Sequence, residues 1–397
     1  MELQLTVPTL FGIESVAADE IRDLGYRDVQ VEDGRVSFRG DESAICRCNL
    51  WLRTAERVQI KMGDFKAYSF DELFEGVKAL PWHEILPVNA VFPVSGHCLS
   101  SKLYSVPDCQ AIIKKAIVEE MKPVYRKSQF PEDGGLYRIQ FNIIRDRAIL
   151  CIDTSGAGLH KRGYREDSNL APIKETLAAG MVRLARWRPG FGLWDPLCGS
   201  GTIVIEAALM MLNMAPGMHR SFAAESWPNL DRNQWERARS EAADAVKQSD
   251  RFEGGAGILL AGSDIDKQAV EMARLNAKRA NVSKYTKFFR MAAREIGPNH
   301  SRFPELGIAM PQKGSIICNP PYAERMSEKD EAAAVFKEMG SAFAHFNEWN
   351  WYIINAHEEF ERHFGRKADK KRKLYNGMIR CNLYQYFNRQ GSGKSQR

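Results

Sequence analysis

Long apolar runs, paired metal-ligand spacings and a phosphate-loop lysine are all missing from this chain of 397 residues. No stretch approaches the roughly eighteen apolar residues a membrane-spanning helix needs, and the first residues lack a basic-then-apolar leader, so a cytoplasmic protein is expected. The eight cysteines include Cys46 and Cys48 but no C-x-x-C pair, and the eight histidines show no H-E-x-x-H spacing. Reduced, buried thiols are therefore expected in place of disulfides or zinc, and no metal is expected. Residues 1 to 155 carry no nucleophile, acid–base pair or metal set, so that part reads as a binding module.

What is present starts with Asn319-Pro320-Pro321-Tyr322, directly after an apolar stretch, Gly314 to Cys318, that reads as a buried strand. An exocyclic amine on a nucleobase is a poor nucleophile because its lone pair is delocalised into the ring. The Asn319 side-chain oxygen and the Pro320 carbonyl can each accept one N–H and turn that lone pair outward, while Tyr322 stacks on the base. Pro320 and Pro321 fix φ and remove backbone donors, so acceptors dominate the loop. Methyl transfer to nitrogen suits such a site; the alternative is an ordinary loop ending a strand.

A second signal is Asp195-Pro196-Leu197-Cys198-Gly199-Ser200-Gly201-Thr202, between a strand end at 191–194 and an apolar helical run from Ile203 to Leu212. Gly199 and Gly201 permit close backbone approach, and the helix start can receive an anion. Position 204 is Val, so this is not the dinucleotide G-x-G-x-x-G, and Thr202 follows Gly201 with no P-loop lysine. An acid at the entry and no lysine suit a zwitterionic, cationic ligand such as S-adenosylmethionine, with Leu197, Cys198 and Thr202 completing the turn. A strand–turn–helix with no ligand is the alternative. The third signal is the strand 257–262, ending at Asp264, Ile265 and Asp266. Asp264 is the expected ribose ligand, Ile265 the cover for one face of the adenine, and Asp266 the cap of a helix over 269–280.

The rest of the chain alternates strands and helices. A strand in 1–10, a helix over 13–24 and two short strands around Asp33-Gly34 come first. Helices over 69–80 and 108–125 follow, then a hairpin over 137–152 turning at Arg145-Asp146. Lys161, Arg162 and Arg165 precede a helix expected from Pro172 to Trp187; phosphate contact or local ion pairing would explain these bases equally. Residues 213–255 interrupt the alternation and read either as a lid over the target base or as packing. From Phe360 to Arg397 there are eleven Lys or Arg against two acids, +9 within a total of +6. Lys370, Lys371, Arg372 and Lys373 are expected in a basic loop beside an Asn376-Gly377 hairpin turn, where nucleic-acid phosphates would bind; a solvated loop is the alternative.

Together these motifs resemble those of class I RNA methyltransferases with an N-terminal THUMP domain, the group holding bacterial 23S rRNA guanine-N2 methyltransferases. Members are often labelled N6-adenine-specific DNA methylases because of Asn-Pro-Pro-Tyr. The resemblance extends over nearly the whole chain, through Phe11-Gly12-Ile13-Glu14, Asp153 to Gly156, Leu159 to Arg165, Asp195 to Ala208, Asn319 to Arg325 and Lys373 to Gly377. It implies an α/β fold: a ferredoxin-like part (1–45), a THUMP domain gripping folded RNA (46–158), a Rossmann-like methyltransferase domain (159–390) and a tail (391–397). It further implies an S-adenosylmethionine-dependent enzyme acting on a guanine N2 in rRNA. Many relatives have an acid after the third strand, near the cofactor adenine. Here Phe288 to Ala293 has none before Glu295, so backbone groups alone are expected to hold the adenine amine. An adenine-N6 DNA methyltransferase, a tRNA guanine methyltransferase and a non-catalytic RNA-binding protein are the rival readings.

Overall fold

The structure, a computed structural model, describes residues 2–165, 173–248, 259–297, 300, 303, 306–322 and 329–388. Two compact units alternate along the chain. Met1–Thr9, Ala17–Leu159 and Gly217–Glu241 form the first; Leu10–Val16, His160–Pro216 and Ala242–Arg397 form the second.

In the first unit, β1 (Leu3–Pro8) and α1 (Glu14–Asp23) precede a hairpin of β2 (Gln30–Glu32) and β3 (Arg35–Gly40) turning at Asp33-Gly34. Next come α2 (Glu42–Trp51), β4 (Gln59–Lys66), α3 (Phe70–Lys78), β5 (Val94–Leu99), α4 (Val106–Tyr125), β6 (Arg138–Ile144) and β7 (Arg147–Asp153). Side-chain caps fix two helix starts: Asp41 accepts the Ala44 N–H at 3.2 Å, and Ser69 accepts that of Glu72 at the same distance. The strands form one sheet in the order β2-β3-β1-β4-β7-β6-β5, antiparallel throughout except for β5 with β6. The β6–β7 turn falls at Arg145 and Asp146, whose φ values of 52° and 62° match the twist of the flanking strands. Pairing of Leu5 with Ile60 joins the ferredoxin-like and THUMP parts in this single sheet.

Residues 217–241 supply core material to this unit. Phe222, Trp227 and Trp235 are buried in its apolar cluster, and Tyr137 stacks on Trp227 with ring centroids 4.3 Å apart. The Tyr137 hydroxyl donates to Asn229 Oδ1 at 2.6 Å. Of the two readings of the 213–255 interruption, packing is therefore what its Gly217–Glu241 portion does.

The second unit runs through α5 (Glu175–Leu184), β8 (Gly192–Asp195) and α6 (Thr202–Met211); α7 (Arg232–Gln248) belongs mostly to the first unit. Then follow β9 (Leu260–Asp264), α8 (Lys267–Arg279), β10 (Lys287–Arg290), β11 (Gly314–Cys318), α9 (Lys329–Phe343), β12 (Trp349–Asn355), α10 (Phe360–Phe364), β13 (Lys370–Asn376) and β14 (Ile379–Tyr386). The sheet order is β10-β9-β8-β11-β12-β14-β13, with β14 antiparallel to both neighbours and the β10, β9, β8, β11 and β12 pairings parallel. Every residue of β11 is buried, as a central parallel strand requires. Trp194 anchors the core against Phe289, Phe303 and Phe346, at centroid distances of 5.7, 5.4 and 5.9 Å.

Three expectations shift. Pro172 lies outside the described residues, and α5 begins at Glu175. The strand expected over 257–262 is described from Leu260 and extends to Asp264; residues 257 and 258 lie outside the description. Lys370 to Lys373 are not in a loop: they form the first half of edge strand β13. Alternating apolar Leu374 and antiparallel pairing with β14 hold them there.

Candidate active site

In a parallel sheet, strands that share a direction release their chains at the same edge, which is where open α/β sheets gather ligand-binding groups. Asp195 ends β8, Asp264 ends its neighbour β9, and Asn319 follows β11 on the other side of β8. Residues distant in sequence thus come to one edge by topology alone.

The glycine turn is shaped by its second glycine. Gly201 has φ +81°, and a Cβ there would lie 2.9 Å from Ala273 and from the Phe288 ring. Gly199, at φ +48°, faces open space, with nothing within 4 Å of a Cβ. The turn is tied to β9: Cys198 N–H donates to the Ser263 carbonyl at 2.9 Å, and Gly199 N–H donates to Asp264 Oδ2 at 2.9 Å. Asn276 on α8 donates to the Ser200 carbonyl at 3.0 Å. Asp264 also accepts the Asp266 N–H at 3.0 Å, so its first task is to hold the turn; a carboxylate retains further acceptor capacity for a hydroxyl. Asp266 caps α8 by accepting the Gln268 N–H at 2.9 Å.

Asp195 is 2% exposed and accepts the Leu197 N–H at 3.1 Å. Burial, reinforced by the Asp264 charge, pushes its carboxyl well above the usual carboxylate range. A nearby cation would reverse that shift. Cys198 is buried against Gly262, whereas Ile265 stands 59% exposed at the tip of β9. Thr202 opens α6 and is buried. After β10, Glu295 folds back so that its Oε2 accepts the Ala292 N–H at 2.9 Å.

The Lys-Arg-Gly-Tyr-Arg segment is a buried charge network. Arg162 is 4% exposed and pairs with Glu206 of α6 at 3.5 Å; the Tyr164 hydroxyl donates to the same Glu206 oxygen at 3.1 Å. Arg165 pairs with Glu175 at 3.3 Å and donates to Thr202 Oγ1 at 3.2 Å and to the Ile173 carbonyl at 3.0 Å. Burial pushes the Glu175 carboxyl up to about 7, against the opposing pull of Arg165. The expectation that Arg162 meets RNA phosphate is thereby corrected, because its guanidinium is enclosed with a carboxylate. Arg165 is committed to Glu175 and the start of α6 as a support of the glycine turn. Lys161 remains at the exposed surface.

The Asn-Pro-Pro-Tyr loop leaves β11 with one polar atom unspent. Asn319 Oδ1 is buried and accepts no hydrogen bond among the described residues. A buried amide oxygen without a donor is costly. Pro320 is buried and Pro321 exposed, and Asn355 at the end of β12 donates to the Pro321 carbonyl at 3.3 Å. Asn376 Nδ2 donates to the Tyr322 hydroxyl at 3.2 Å, so the last hairpin orients the ring expected to stack. Residues 323–325, the end of the quoted motif, lie outside the description.

Of the basic strand residues, Lys370 and Lys373 are exposed, Lys371 is ion-paired with Glu361, and Arg372 donates to the Gly12 carbonyl at 2.6 Å and to Ser15 Oγ at 3.0 Å. Sequence reasoning missed Glu175, Glu206, Asn355 and Asn376. Glu206 had a signal, an acid within the otherwise apolar run from Ile203 to Leu212. The two asparagines had none, since strand ends far apart in sequence bring them to the loop.

Residues 162–385, more than half the chain, match the family model described as RMKL-like, methyltransferase domain. Residues 4–59 match an RlmL ferredoxin-like domain and residues 67–153 a THUMP domain. The Bacillus subtilis (strain 168) protein named "Putative RNA methyltransferase YpsC" is 44% identical over 380 residues, covering 95% of this chain and 94% of that one. Ribosomal RNA large subunit methyltransferase K/L of Syntrophotalea carbinolica is 32% identical over 385 residues, 94% of this chain but 52% of that protein, so the chain spans about half its length. The crystal structure of SMU.472, described as a methyltransferase complexed with SAH, superposes with a TM-score of 0.87 at 39% identity, covering 98% of each chain. The chain belongs to the RMKL-like methyltransferase family, with ferredoxin-like and THUMP domains ahead of its methyltransferase domain.

Proposed function

We propose that this protein is an S-adenosylmethionine-dependent RNA methyltransferase that modifies the N2 amino group of a guanine in 23S rRNA. The observation that carries the reading is the buried Asn319 Oδ1 without a donor among the described residues, at the sheet edge that also bears Asp195 and Asp264. The residues around the glycine turn fit the methyl donor. Open space at Gly199, a buried acid at Asp195 and an exposed apolar side chain at Ile265 suit a cationic nucleoside. S-adenosylmethionine supplies an electrophilic methyl group carried on a sulfonium.

Asp195 would face the cationic side of the donor, Asp264 a ribose hydroxyl and Ile265 one adenine face. Leu197, Cys198, Gly199, Gly201 and Thr202 shape the turn. Asn319 Oδ1 and the Pro320 carbonyl accept the two amine hydrogens, which directs the nitrogen lone pair outward, and Tyr322 stacks on the base. Pro321 holds the loop through Asn355. Positioning is the main catalytic contribution, since well-aligned groups reach effective molarities of roughly 10⁵ M or more. A target base within a helix must be extruded, at a few kcal/mol. The THUMP match and the names of the RNA and rRNA methyltransferase relatives support RNA as substrate; Lys161, Lys370 and Lys373 remain the candidate phosphate contacts.

The test is methyl transfer from labelled S-adenosylmethionine to unmodified 23S rRNA, 16S rRNA, tRNA and duplex DNA, with the product nucleosides identified. N2-methylguanosine in 23S rRNA alone is expected. N6-methyladenine in DNA, or N2-methylguanosine confined to tRNA, would overturn the substrate assignment.

A further inference from the structure

Phe11-Gly12-Ile13-Glu14, a motif left unused by the proposed reaction, meets Lys373-Leu374-Tyr375 in the second unit. Gly12 lies so close to edge strand β13 that a Cβ there would overlap the Lys373 carbonyl oxygen at 2.2 Å; its φ is +94°. That tight approach places the Phe11 ring edge-on to Tyr375, with centroids 5.7 Å apart and planes at 86°. The Lys373 ammonium sits over both rings, 5.5 Å from one and 5.6 Å from the other. Arg380 is the cross-strand partner of Tyr375, so it shares that face and is exposed. Phe11 is 39% exposed, and Met378 at the hairpin tip is 96% exposed. Glu14, the acid nearest in sequence to Phe11, accepts the Gly12 N–H at 2.9 Å, which ties it to the loop backbone.

We propose that Phe11, Tyr375 and Lys373 form a second nucleotide-binding position, which holds the RNA nucleotide adjacent to the methylated base. This inference rests on the RNA methyltransferase reading. Continuity with the target loop identifies the occupant. Asn376 bonds the Tyr322 hydroxyl, and the side chains of consecutive strand residues leave on opposite sides. Asn376 therefore faces the target loop while Tyr375, the residue next to it along β13, faces outward. Rings offer stacking to any base, and Lys373 and Arg380 offer charge to its phosphates. One exposed ring and one half-buried ring with two cations suit a nucleotide better than an apolar peptide.

The experiment compares the full-length protein with Phe11→Leu, Tyr375→Leu and Lys373→Gln. Leucine preserves apolar cover on β13 but removes the stacking face. Dissociation constants are measured for a short single-stranded RNA of mixed sequence and for S-adenosylhomocysteine, together with melting temperature. The leucine variants are expected to bind RNA about tenfold more weakly, and Lys373→Gln to flatten the log–log salt slope by about one. S-adenosylhomocysteine binding and melting temperature should not move. Unchanged RNA affinity in the leucine variants, or absence of RNA binding by the wild type, overturns the inference. A fall in melting temperature that accounts for the whole RNA effect assigns Phe11 to packing and overturns it too. Failure of the guanine-N2 assignment is distinguishable, because it changes the methylated nucleoside and leaves these affinity differences standing.

Discussion

Asn49 in the first unit and Asn319 in the second are the same side chain in opposite states. Asn49 is 1% exposed and fully engaged: its amide donates to the Ile45 carbonyl and Thr154 Oγ1, both at 2.9 Å, and its oxygen accepts the Ser155 hydroxyl at 2.6 Å. Asn319 keeps a buried oxygen with no donor among the described residues. The difference follows from sheet topology. Antiparallel β4 and β7 lie side by side, and Asn49, Thr154 and Ser155 close a ring of bonds around their ends. A parallel sheet sends its chain exits to one edge, and Asn319 follows the exit of β11 there. Structural asparagines exhaust their hydrogen bonds; a candidate catalytic one holds a bond in reserve.

The largest expected effect tests that reserve. Asn319→Ala should lower kcat by roughly 10²–10³-fold, the scale of losing one positioned hydrogen-bonding group at a reacting centre. Its affinity for S-adenosylhomocysteine and its melting temperature should stay near wild type. Equal loss of turnover and ligand binding would mean that the loop supports the fold, and the contrast with Asn49 would collapse.

Next comes the buried carboxylate under the glycine turn. Glu175 has its pKa raised to about 7 from 4.5, so the folded state holds this proton where the unfolded chain has released it. Stability from this group is fully present below about pH 4.5 and is lost as pH rises through 7, by on the order of 3 kcal/mol. Thermal or urea unfolding between pH 5 and 8 should follow that slope, and Glu175→Gln should flatten it. An unchanged slope would show that Arg165 keeps the carboxylate charged throughout.

Asn49→Ala is the converse of the first variant. It should cost about 2 kcal/mol of stability by leaving Thr154 and Ser155 short of partners, with kcat per folded molecule unchanged. A kcat loss at full stability would erase the distinction between the two asparagines. The smallest effect belongs to Lys370→Gln, on the exposed edge strand: RNA binding should weaken a few-fold across all sequences, and the salt slope should fall by about one. No change in slope would remove Lys370 from the phosphate contacts.

Much of this was legible before any coordinates. The apolar run Gly314–Cys318 is β11 itself, Asp266 caps α8, and the Arg145-Asp146 turn falls where turn chemistry puts it, whereas the hairpin expected to turn at Asn376-Gly377 turns one residue later, at Gly377-Met378, because Asn376 still pairs with Ile379. These are local signals, set by hydrophobic period, caps and glycine. What sequence left dark is set by distant partners. Nothing near Arg162 announces Glu206, so a basic run read as an RNA contact proves to be half of an internal ion pair. Asn355 and Asn376 reach the target loop only because β12 and β13 run in the direction of β11. Lys370 to Lys373 looked like a loop because charge outweighs strand propensity in the pattern, yet pairing with β14 and the buried Leu374 hold them extended.

The Gly12–Arg372 contact has a consequence in time. The two residues are separated by 360 positions, yet they meet within the catalytic unit. Synthesis proceeds from the N-terminus, so the segment at 10–16 leaves the ribosome 360 positions ahead of the strand that binds it. Domains otherwise tend to complete in the order they are made. Here the methyltransferase unit cannot close its edge strand until the residues between Gly12 and Arg372 have been made, and the loop at 10–16 waits for a partner made well after it.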